Sequence, residues 1–491
     1  MYFIGIDIGT SSTKMLLMNQ DGAIQKVIHR SYSTHFPQPG WSEQNPDSWW
    51  NAVCQGMPEL LEDVDASQVK GIGCCGQMHG LVVLDRDGEV IRPAIMWNDS
   101  RTRFQVDYLN RVIGRQKLAR HTGNVAYAGF TAPKLLWLHE EEPENFGRID
   151  SMMLPKDYIT YKLTGEFVSD FSDASGTLLL NVEKRRWSQT MLKLCGLHPD
   201  QAPELYESYD PVGQIKPDVA DELGLPHDVV VCAGASDNAA AAVGTGAVGP
   251  GHCNIVMGTA GTILIPTRGF KTDPDHQLHA FCSADGGWNL MGCVLSAAGC
   301  GQWWLGNIVG TWDYDTEVGR IHEDRLGENT VYFLPYLMGE RTPHNDPRAR
   351  GTFVGMRMDT SRADMTQAVL EGAAFALRDC LQVARTEGVD VHASTICGGA
   401  ARSGLWKTIL ADVLGIPLSD TQTEQAPALG AAMLASVACG VYPSVAECAG
   451  AVVQRKDTVY PDRRIMTAYQ GHYFVWHQIY PALKGIYQQM L

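Results

Sequence analysis

The sequence contains no Cys-x-x-Cys pair, no Gly-Lys dipeptide and no excess of basic residues. Its thirteen cysteines are scattered, and the adjacent Cys74 and Cys75 suit neither an ordinary zinc site nor an ordinary disulfide. Because a Walker A loop requires Gly-Lys, any nucleotide site has to be built differently. We therefore expect reduced, buried thiols and no P-loop.

Acidic residues outnumber basic ones, 55 against 39, which gives a formal net charge of −16. This balance argues against a nucleic-acid partner, whose phosphates require a basic surface. The longest stretch with few charges, 229–267, is rich in glycine and contains Asp237, so it is not a membrane helix. The first residues show no basic region, apolar region and cleavage site of the kind that a secretion signal has, so secretion is not expected. We expect a cytoplasmic protein with no membrane span, and the sequence leaves open whether it forms a homodimer.

The 491 residues exceed what one hydrophobic core accommodates and suggest about two to four domains. Hydrophobic periodicity and turn residues predict strands at 2–8, 14–18, 23–32, 69–75, 81–84 and 90–97, and a helix that starts at Asn45 and Pro46. Hairpins followed by helices favour an α/β protein with a mixed sheet.

One short pattern occurs in both halves of the chain. Residues 6–13 can be laid over residues 255–262, and each reads as strand, Gly-Thr turn, strand. This repeat predicts two similar domains, 1–245 and 246–491, with a cleft between them. Later helices are predicted at 365–387, after the capping-box-like Ser361, and at 403–414.

Two Gly-x-Gly-x-x-Gly strings, which begin at Gly71 and Gly244, are rejected as dinucleotide sites. The first precedes an apolar strand and the second follows an Ala-rich helix, whereas the Rossmann motif needs strand, turn and then helix. The Gly-Thr hairpins are better phosphate loops, because tight turns expose successive backbone N–H groups and Thr and Ser add hydroxyl donors.

Two isolated carboxylates are the candidate functional groups. Asp7 is the only charged residue before Lys14, on a strand that should be buried, which suits either a magnesium ligand or a turn cap. Asp237 is the only Asp, Glu, Lys or Arg between Asp228 and Arg268. It follows a predicted strand and precedes a predicted helix, so it is either a positioned general base or a helix N-cap.

The sequence resembles the FGGY carbohydrate kinases in two long segments and in the Gly-Thr turns and isolated carboxylates described above. Two long segments carry the resemblance: Gly129-x-Thr131-x-x-Lys134-Leu135-x-Trp137-Leu138-x-Glu140-Glu141, and Gly351-x-Phe353-x-Gly355-Met356 followed by Asp364-Met365-x-x-Ala368-Val369-Leu370-Glu371. The resemblance extends over nearly the whole chain. It implies two actin/hexokinase-type, ribonuclease H-like ATPase domains, an N-terminal one for the sugar and a C-terminal one for adenosine.

Within that family, three segments are similar to kinases of D-xylulose: Gly76-Gln77-Met78-His79-Gly80, Trp97-Asn98-Asp99-x-Arg101 and Leu154-Pro155-Lys156-Asp157-Tyr158. The Arg-Glu pair that glycerol kinases usually carry near Asn98 is missing. The resemblance implies Asp237 as catalytic base, Asp7 near a magnesium ion, and sugar contacts from Met78, His79, Asp237 and Asn238. The implied ATP-binding residues are Thr10, Ser11, Ser12, Thr13, Gly258, Thr259, Gly261, Thr262, Gly398, Gly399, Ala400 and Ser403.

The expected reaction is magnesium-dependent transfer of phosphate from ATP to D-xylulose, giving D-xylulose 5-phosphate and ADP. The alternatives are another kinase of the family, acting on ribulose, gluconate, glycerol or a deoxysugar, and a chaperone-like or filament-forming ATPase of the same superfamily. The second would lack the sugar pocket and the two long signatures. A catalytically silent sugar sensor would need Asp237 replaced, and it is present.

Overall fold

The computed structural model describes residues 1–421 and 423–490. The strands within these ranges, β1 to β24 in chain order, are Tyr2–Ile8, Ser12–Asn19, Ile24–Ser31, Glu43–Gln44, Val69–Gly76, Val82–Leu84, Ala94–Ile95, Ser151–Met153, Val168–Asp170, Leu180–Asn181, Arg186–Trp187, Glu204–Tyr206, Pro211–Gln214, Val230–Cys232, Ala235–Ser236, Gly251–Met257, Gly261–Thr267, His279–Cys282, Trp288–Val294, Tyr332–Leu334, Thr352–Val354, Val391–Cys397, Leu418–Thr421 and Arg455–Val459.

The α-helices of the same ranges, α1 to α17, are Pro46–Leu61, Arg103–Asp107, Arg115–Thr122, Thr131–Glu141, Pro143–Phe146, Pro155–Thr164, Phe171–Ala174, Gln189–Leu194, Pro217–Leu223, Asp237–Gly244, Ala298–Trp303, Tyr314–Val318, Arg362–Thr386, Gly404–Leu414, Ala426–Ala438, Val445–Val452 and Arg463–Tyr487. Short 3₁₀ turns cover Ala66–Gln68, Ser175–Thr177, Pro199–Gln201, Glu323–Arg325 and Gly399–Arg402, and π-helical turns cover Tyr108–Gly114 and Trp304–Val309.

Two large mixed sheets follow the same plan. The first has the strand order β13-β14-β5-β1-β2-β3, with β15 paired to the end of β5. The second has the order β24-β23-β22-β16-β17-β19-β18. In each sheet the first strand of a hairpin runs parallel to the next long strand, β1 with β5 and β16 with β22. The repeat seen in the sequence therefore reflects two domains of the same topology.

Each sheet has its own buried core. In the first half, strands β1, β2 and β5 pack with α1, α6 and α9 around side chains such as Trp49 and Ile159. In the second half, β16, β17 and β19 pack with α13, α14 and α17 around Phe375, Trp406 and Trp476. The proposed boundary, between residues 245 and 246, lies between the end of α10 and the start of β16.

Helix α15 belongs to the second half in sequence but packs against the first sheet. A Cβ on Gly5 of β1 would lie 1.8 Å from the carbonyl oxygen of Ala428, and one on Gly73 of β5 would lie 2.1 Å from that of Ala431. Only glycine allows the strands to approach the helix so closely. The same Ala-rich helix crosses α10. The two halves of the chain therefore meet along the small side chains that α10 and α15 place against each other.

Most of the predicted elements are confirmed, including α1 with its Asn45 cap, α13 with a reciprocal Ser361–Asp364 capping box, and α14 with Gly415 as its C-cap. The strand predicted at 90–97 is wrong. Only Ala94–Ile95 is a strand, paired with Glu43–Gln44. Pro93 lies inside the predicted segment, and proline lacks the N–H that a continuous ladder needs.

All thirteen cysteines are free thiols, and all but Cys54, Cys397 and Cys439, which are half-buried, lie in the interior. Among the helices of residues 1–421 and 423–490, none combines the length and the apolar character that a membrane crossing requires.

Candidate active site

The parallel strands of the first sheet bring the two isolated carboxylates together. Asp7 of β1 is in register with Cys75 of β5, and Cys75 is in register with Ala235 of β15. Asp237 follows β15 directly and opens α10. Asp7 and Asp237 therefore lie at the same edge of the sheet, where the carboxyl ends of parallel strands usually carry a ligand site.

Asp237 is held by its neighbour and not used as a cap. Its Oδ1 accepts hydrogen bonds from the backbone N–H and the side-chain amide of Asn238, at 2.7 and 2.9 Å. The N-cap of α10 is Ser236, whose Oγ accepts from Ala239 at 3.3 Å. Burial, and then the charge of Asp7, raise the pKa of Asp237 to about 7. A half-buried carboxylate with this pKa is well matched to accept a proton near neutral pH.

Asp7 is almost completely buried at the end of β1. The Nζ of Lys14 lies 3.9 Å from its Oδ2, and the Cys75 thiol donates to its Oδ1 at 3.7 Å. Burial raises the pKa of Asp7, because one distant ammonium group does not replace the water that the carboxylate has lost. The local environment is therefore short of positive charge.

His79 occupies a strained position in the turn after β5. Its φ is +71°, a left-handed conformation that is uncommon for a residue with a side chain. Thr131 and Lys134 hold this turn, since the hydroxyl and the ammonium group both donate to the carbonyl oxygen of His79, at 3.1 and 2.8 Å. These two residues belong to the first long signature, so that signature fixes the His79 turn.

The imidazole of His79 has a defined tautomer. Its Nδ1 lies 2.7 Å from the carbonyl oxygen of Gly176, which can only accept, so Nδ1 carries the proton. Burial, followed by the charges of Lys134 and Arg341, lowers the pKa of His79 well below its ordinary value. The ring is therefore neutral, with Nε2 left as a hydrogen-bond acceptor.

Asn238 connects the sugar-side residues to the second Gly-Thr turn. Its amide nitrogen lies 3.9 Å from the Sδ of Met78, and its Oδ1 accepts from the hydroxyl of Thr262 at 3.3 Å. The structure thus places Met78, Asp237, Asn238 and Thr262 in one connected group, although Thr262 belongs to the second half of the chain.

The first Gly-Thr turn, residues 9–12, is anchored from several sides. Gly9 N–H donates to the carbonyl oxygen of Ser12 at 3.0 Å, and the indole N–H of Trp97 donates to Thr10 Oγ1 at 3.1 Å. Ser11 is exposed, whereas Thr13 is fully buried within the hairpin. The turn therefore presents Thr10, Ser11 and Ser12 to solvent more than Thr13.

The second Gly-Thr turn lies beside the predicted adenosine segment. Val256 of β16 pairs with Cys397 of β22, so Gly398 follows directly alongside Met257. Gly398 has φ +95°, and a Cβ there would lie 2.6 Å from the carbonyl oxygen of Met257. A side chain at this position would force the second turn and the adenosine segment apart.

The remaining predicted adenosine residues differ in environment. A Cβ on Gly399 would meet no atom within 4 Å, whereas Ala400 is buried. Ser403 is the N-cap of α14, where its Oγ accepts from Trp406 N–H at 3.2 Å. Of this segment, Gly399 therefore faces open space and Ser403 already has a structural role.

A buried ion network lies behind Asp237. The Nζ of Lys156 donates to Asp157 and lies 3.0 Å from Asp170 Oδ1, and all three side chains are fully buried. Asp170 Oδ2 accepts from the hydroxyl of Ser172, whose oxygen in turn accepts from the backbone N–H of Ser236 at 3.1 Å. The network ends on the residue before Asp237 and so fixes the start of α10.

Sequence reasoning missed these supporting residues. The resemblance to xylulose kinases assigns the Leu154–Tyr158 segment to the type of sugar, and the structure adds that Lys156 of this segment supports the backbone at Ser236 through Asp170 and Ser172. The Ser-Asp-Asn order at 236–238 does contain a signal for the helix start. Serine before the first helical residue is a strong N-cap, so Ser236, and not Asp237, is the expected cap of α10. No sequence signal connects Lys156 with Asp170, which meet only through the fold.

The comparisons with known proteins place the chain in one family. The sequence profile of the FGGY family of carbohydrate kinases, N-terminal domain, matches residues 2–244, and the profile of its C-terminal domain matches residues 253–439. A xylulose kinase of Escherichia coli K12 is 39% identical over 483 residues, which cover 98% of this chain and 99% of the relative.

Two solved structures are also similar over nearly their full length. A protein described as a xyloylose kinase from Brucella ovis superposes with a TM-score of 0.94 at 36% identity and covers 99% of this chain and 100% of its own. A gluconate kinase from Lactobacillus acidophilus superposes with the same TM-score at 27% identity, covering 99% of each chain.

Proposed function

Because the chain belongs to the FGGY family of carbohydrate kinases, we propose that it transfers the γ-phosphoryl group of ATP to D-xylulose, giving D-xylulose 5-phosphate and ADP. The observation that carries this proposal is the position of Asp237. Its carboxylate is held by Asn238, which also contacts Met78 and Thr262, and it follows the strand edge at which β1 and its Gly-Thr turn end. The near full-length similarity to xylulose kinases supports the choice of sugar.

In the proposed mechanism Asp237 is the general base. Its Oδ1 accepts both hydrogen bonds from Asn238, and no described residue donates to Oδ2. Oδ2 therefore takes the proton of the C5 hydroxyl while that oxygen attacks the γ-phosphorus and the bond to ADP breaks. Because transition states of phosphoryl transfer are loose, positioning the two substrates contributes more than the strength of the base.

The two Gly-Thr turns would hold the phosphates. Turn backbones offer N–H groups, and Thr10, Ser11 and Thr259 add hydroxyl groups near the ends of β1 and β16. Donors that are fixed before the reaction stabilise charge without having to reorganise. The Trp97 and Gln44 hydrogen bonds to Thr10 provide such fixation in the first turn.

Asp7 would support a magnesium ion. Among residues 1–421 and 423–490, no three His, Cys, Asp or Glu side chains form a metal cage. Magnesium bound with a nucleotide needs only one or two protein carboxylates, since phosphates and water fill its other positions. A buried carboxylate with a single cation at 3.9 Å fits that role. When bound, the ion would neutralise charge on the phosphates.

The adenosine would lie against the Gly398–Ala400 segment, and this assignment predicts the effect of Gly399→Val. The variant should fold normally because a side chain at Gly399 meets no neighbouring atom. It should raise the KM for ATP, since a branched side chain would fill the space that the base or ribose needs. Steady-state kinetics at saturating sugar measure this. An unchanged KM for ATP would refute the adenosine assignment.

The substrate proposal is tested by coupled measurement of ADP release with D-xylulose, D-ribulose, D-gluconate and glycerol. D-xylulose should give the highest kcat/KM. Glycerol should be poor because a site that hydrogen-bonds several hydroxyl groups rejects an analogue that leaves its polar groups unpaired. D-gluconate is included because a gluconate kinase shares the fold at high similarity. If another compound is best, the choice of sugar fails and the family assignment stands.

A further inference from the structure

Arg341 approaches the sugar side of the site from the second half of the chain. Its guanidinium carbon lies 5.5 Å from the centre of the Tyr127 ring. One terminal nitrogen is 3.9 Å from the point where a Cβ on Gly129 would lie. Within residues 1–421 and 423–490, this guanidinium forms no ion pair and no hydrogen bond; the hydrogen bonds of Arg341 are made by its backbone, which donates to Glu340 and accepts from Asn345. A permanently charged group, half-buried and without a partner, is a ligand-binding candidate.

The surroundings of Arg341 are aromatic. We define the ring cluster as His79, Tyr127, Phe130, His279 and Phe281. Its members are in mutual contact: Tyr127 lies 5.4 Å from Phe130 and 4.8 Å from His279, and Phe130 lies 4.7 Å from His79, measured between ring centres. Arg341 at one side of the cluster and His79 at the other therefore border the same region.

Among the described residues, no carboxylate lies within ion-pair distance of the Arg341 guanidinium; the nearby carboxyl groups, Glu340 and Asp273, act on this region only electrostatically. Burial, and then Arg341 itself, lower the pKa of His279 to about 3, and His79 is also neutral. Burial raises the pKa of Glu340, the preceding residue, to about 8, while its backbone hydrogen bonds and the charge of Arg341 oppose that rise. The guanidinium therefore borders aromatic and neutral imidazole rings, no described residue accepts a hydrogen bond from it, and a bound oxygen atom would supply that acceptor.

The sugar-side residues offer acceptors and lack a free donor. His79 uses its N–H on Gly176, which leaves Nε2 as an acceptor. The amide nitrogen of Asn238 points to Asp237 and Met78, and its oxygen accepts from Thr262. Sugar hydroxyl groups can donate to such acceptors, but a ketone oxygen can only accept. A ketose therefore needs one further donor in this site.

We propose that Arg341 is a specificity-determining residue that donates hydrogen bonds to the carbonyl end of the ketose. This inference rests on the proposed function, since it assumes a ketose whose C5 hydroxyl faces Asp237. The guanidinium fork can bind the C2 ketone oxygen and the adjacent C1 hydroxyl oxygen together.

The backbone around Arg341 is fixed well enough for this role. Glu340 Oε1 accepts from the N–H of Leu295 at 3.0 Å, and Thr342 exchanges hydrogen bonds with Cys293, with both distances 3.1 Å. Cys293 lies near the end of β19, in the second sheet, and Leu295 directly follows that strand. Since His79 and Asp237 belong to the first half, the sugar would be held by both halves at once.

The test is Arg341→Met, which keeps the length of the side chain and removes its charge and donors. The KM for D-xylulose should rise by about 10- to 100-fold, the usual worth of a hydrogen bond to a charged group. The KM for ATP and the slow ATP hydrolysis without sugar should stay unchanged. Arg341→Lys should give an intermediate KM, because it keeps the charge without the fork. Arg348→Met, at an exposed position of the same loop, is the matched control and should behave as wild type.

The outcomes separate this inference from the proposed function. If the wild type uses D-xylulose and both Arg341 variants retain its KM, the Arg341 inference is wrong and the proposed function stands. If the wild type prefers another member of the sugar panel, the substrate proposal fails, and the same variants are measured with that compound. If that compound is D-gluconate and its KM rises in the Arg341 variants, Arg341 binds the carboxylate of the substrate, and the assignment to a ketone oxygen is overturned. Calorimetric titration of D-xylulose without ATP provides a binding readout that is independent of turnover.

Discussion

Asp237→Asn is expected to lower the turnover of the enzyme by about 10²- to 10⁴-fold, the range that positioned general bases contribute. The amide has the shape of the carboxylate but cannot take the proton of the attacking hydroxyl. The variant should remain folded, because it removes a charge that burial and Asp7 both disfavour. ATP affinity, measured by calorimetry, should therefore change little while sugar-dependent ADP release is nearly abolished.

The matched control is Asp228→Asn, at a position shortly before β14. Asp228 is exposed and pairs only with Lys70 at the surface, with its carboxylate 3.3 Å from Nζ. Such pairs contribute little, so this variant should retain normal kinetics. Turnover of Asp237→Asn within about tenfold of the wild type would exclude Asp237 as the essential base.

Lys156→Met is expected to destabilise the protein by about 3–5 kcal/mol, because it leaves buried carboxylates without their cation. Asp157 and Asp170 both lie within ion-pair distance of Nζ, and none of the three side chains is exposed to solvent. Urea unfolding followed by tryptophan fluorescence measures the loss. The same change at Lys193, an exposed lysine, should have almost no effect on stability.

The Lys156 variant also tests the link to Asp237. The network continues from Asp170 through Ser172 to the N–H of Ser236. Under conditions in which the variant is folded, its turnover should fall more than its KM for ATP rises, because the start of α10 is displaced. If the variant is as stable as the wild type, groups other than Lys156 stabilise the buried carboxylates of Asp157 and Asp170, and the network does not depend on this lysine.

Much of the fold was predictable because local patterns and tertiary structure agree. The hairpin with the Gly9-Thr10 turn, the Asn45 cap and the Ser361 capping box are local features, and all three are confirmed. The family resemblance and the two-domain α/β fold of the actin and hexokinase type are confirmed as well. Local pattern failed at 90–97, where Pro93 interrupts a mostly apolar segment.

Contacts between distant segments were not predictable from pattern alone. The crossing of α15 onto the first sheet depends on Gly5 and Gly73, which read in the sequence as ordinary strand glycines. Asp7 and Asp237 meet because β1 and β15 both pair with β5, and that is a property of the topology. The sequence does not single out Arg341 as a candidate ligand-binding residue, because that role is inferred from the absence of an ion pair to its guanidinium among the described residues.

The roles of Asp237, Asp7 and the nucleotide-binding residues are predictions. All of them assume that the protein transfers phosphate from ATP to the C5 hydroxyl group of D-xylulose. The most direct measurement is ³¹P NMR of the products formed by the purified protein with ATP, magnesium and D-xylulose. The account predicts equal amounts of ADP and a new phosphomonoester whose phosphorus couples to the two C5 methylene protons. Release of inorganic phosphate with no sugar phosphate, or a phosphate on another carbon of the sugar, would contradict it.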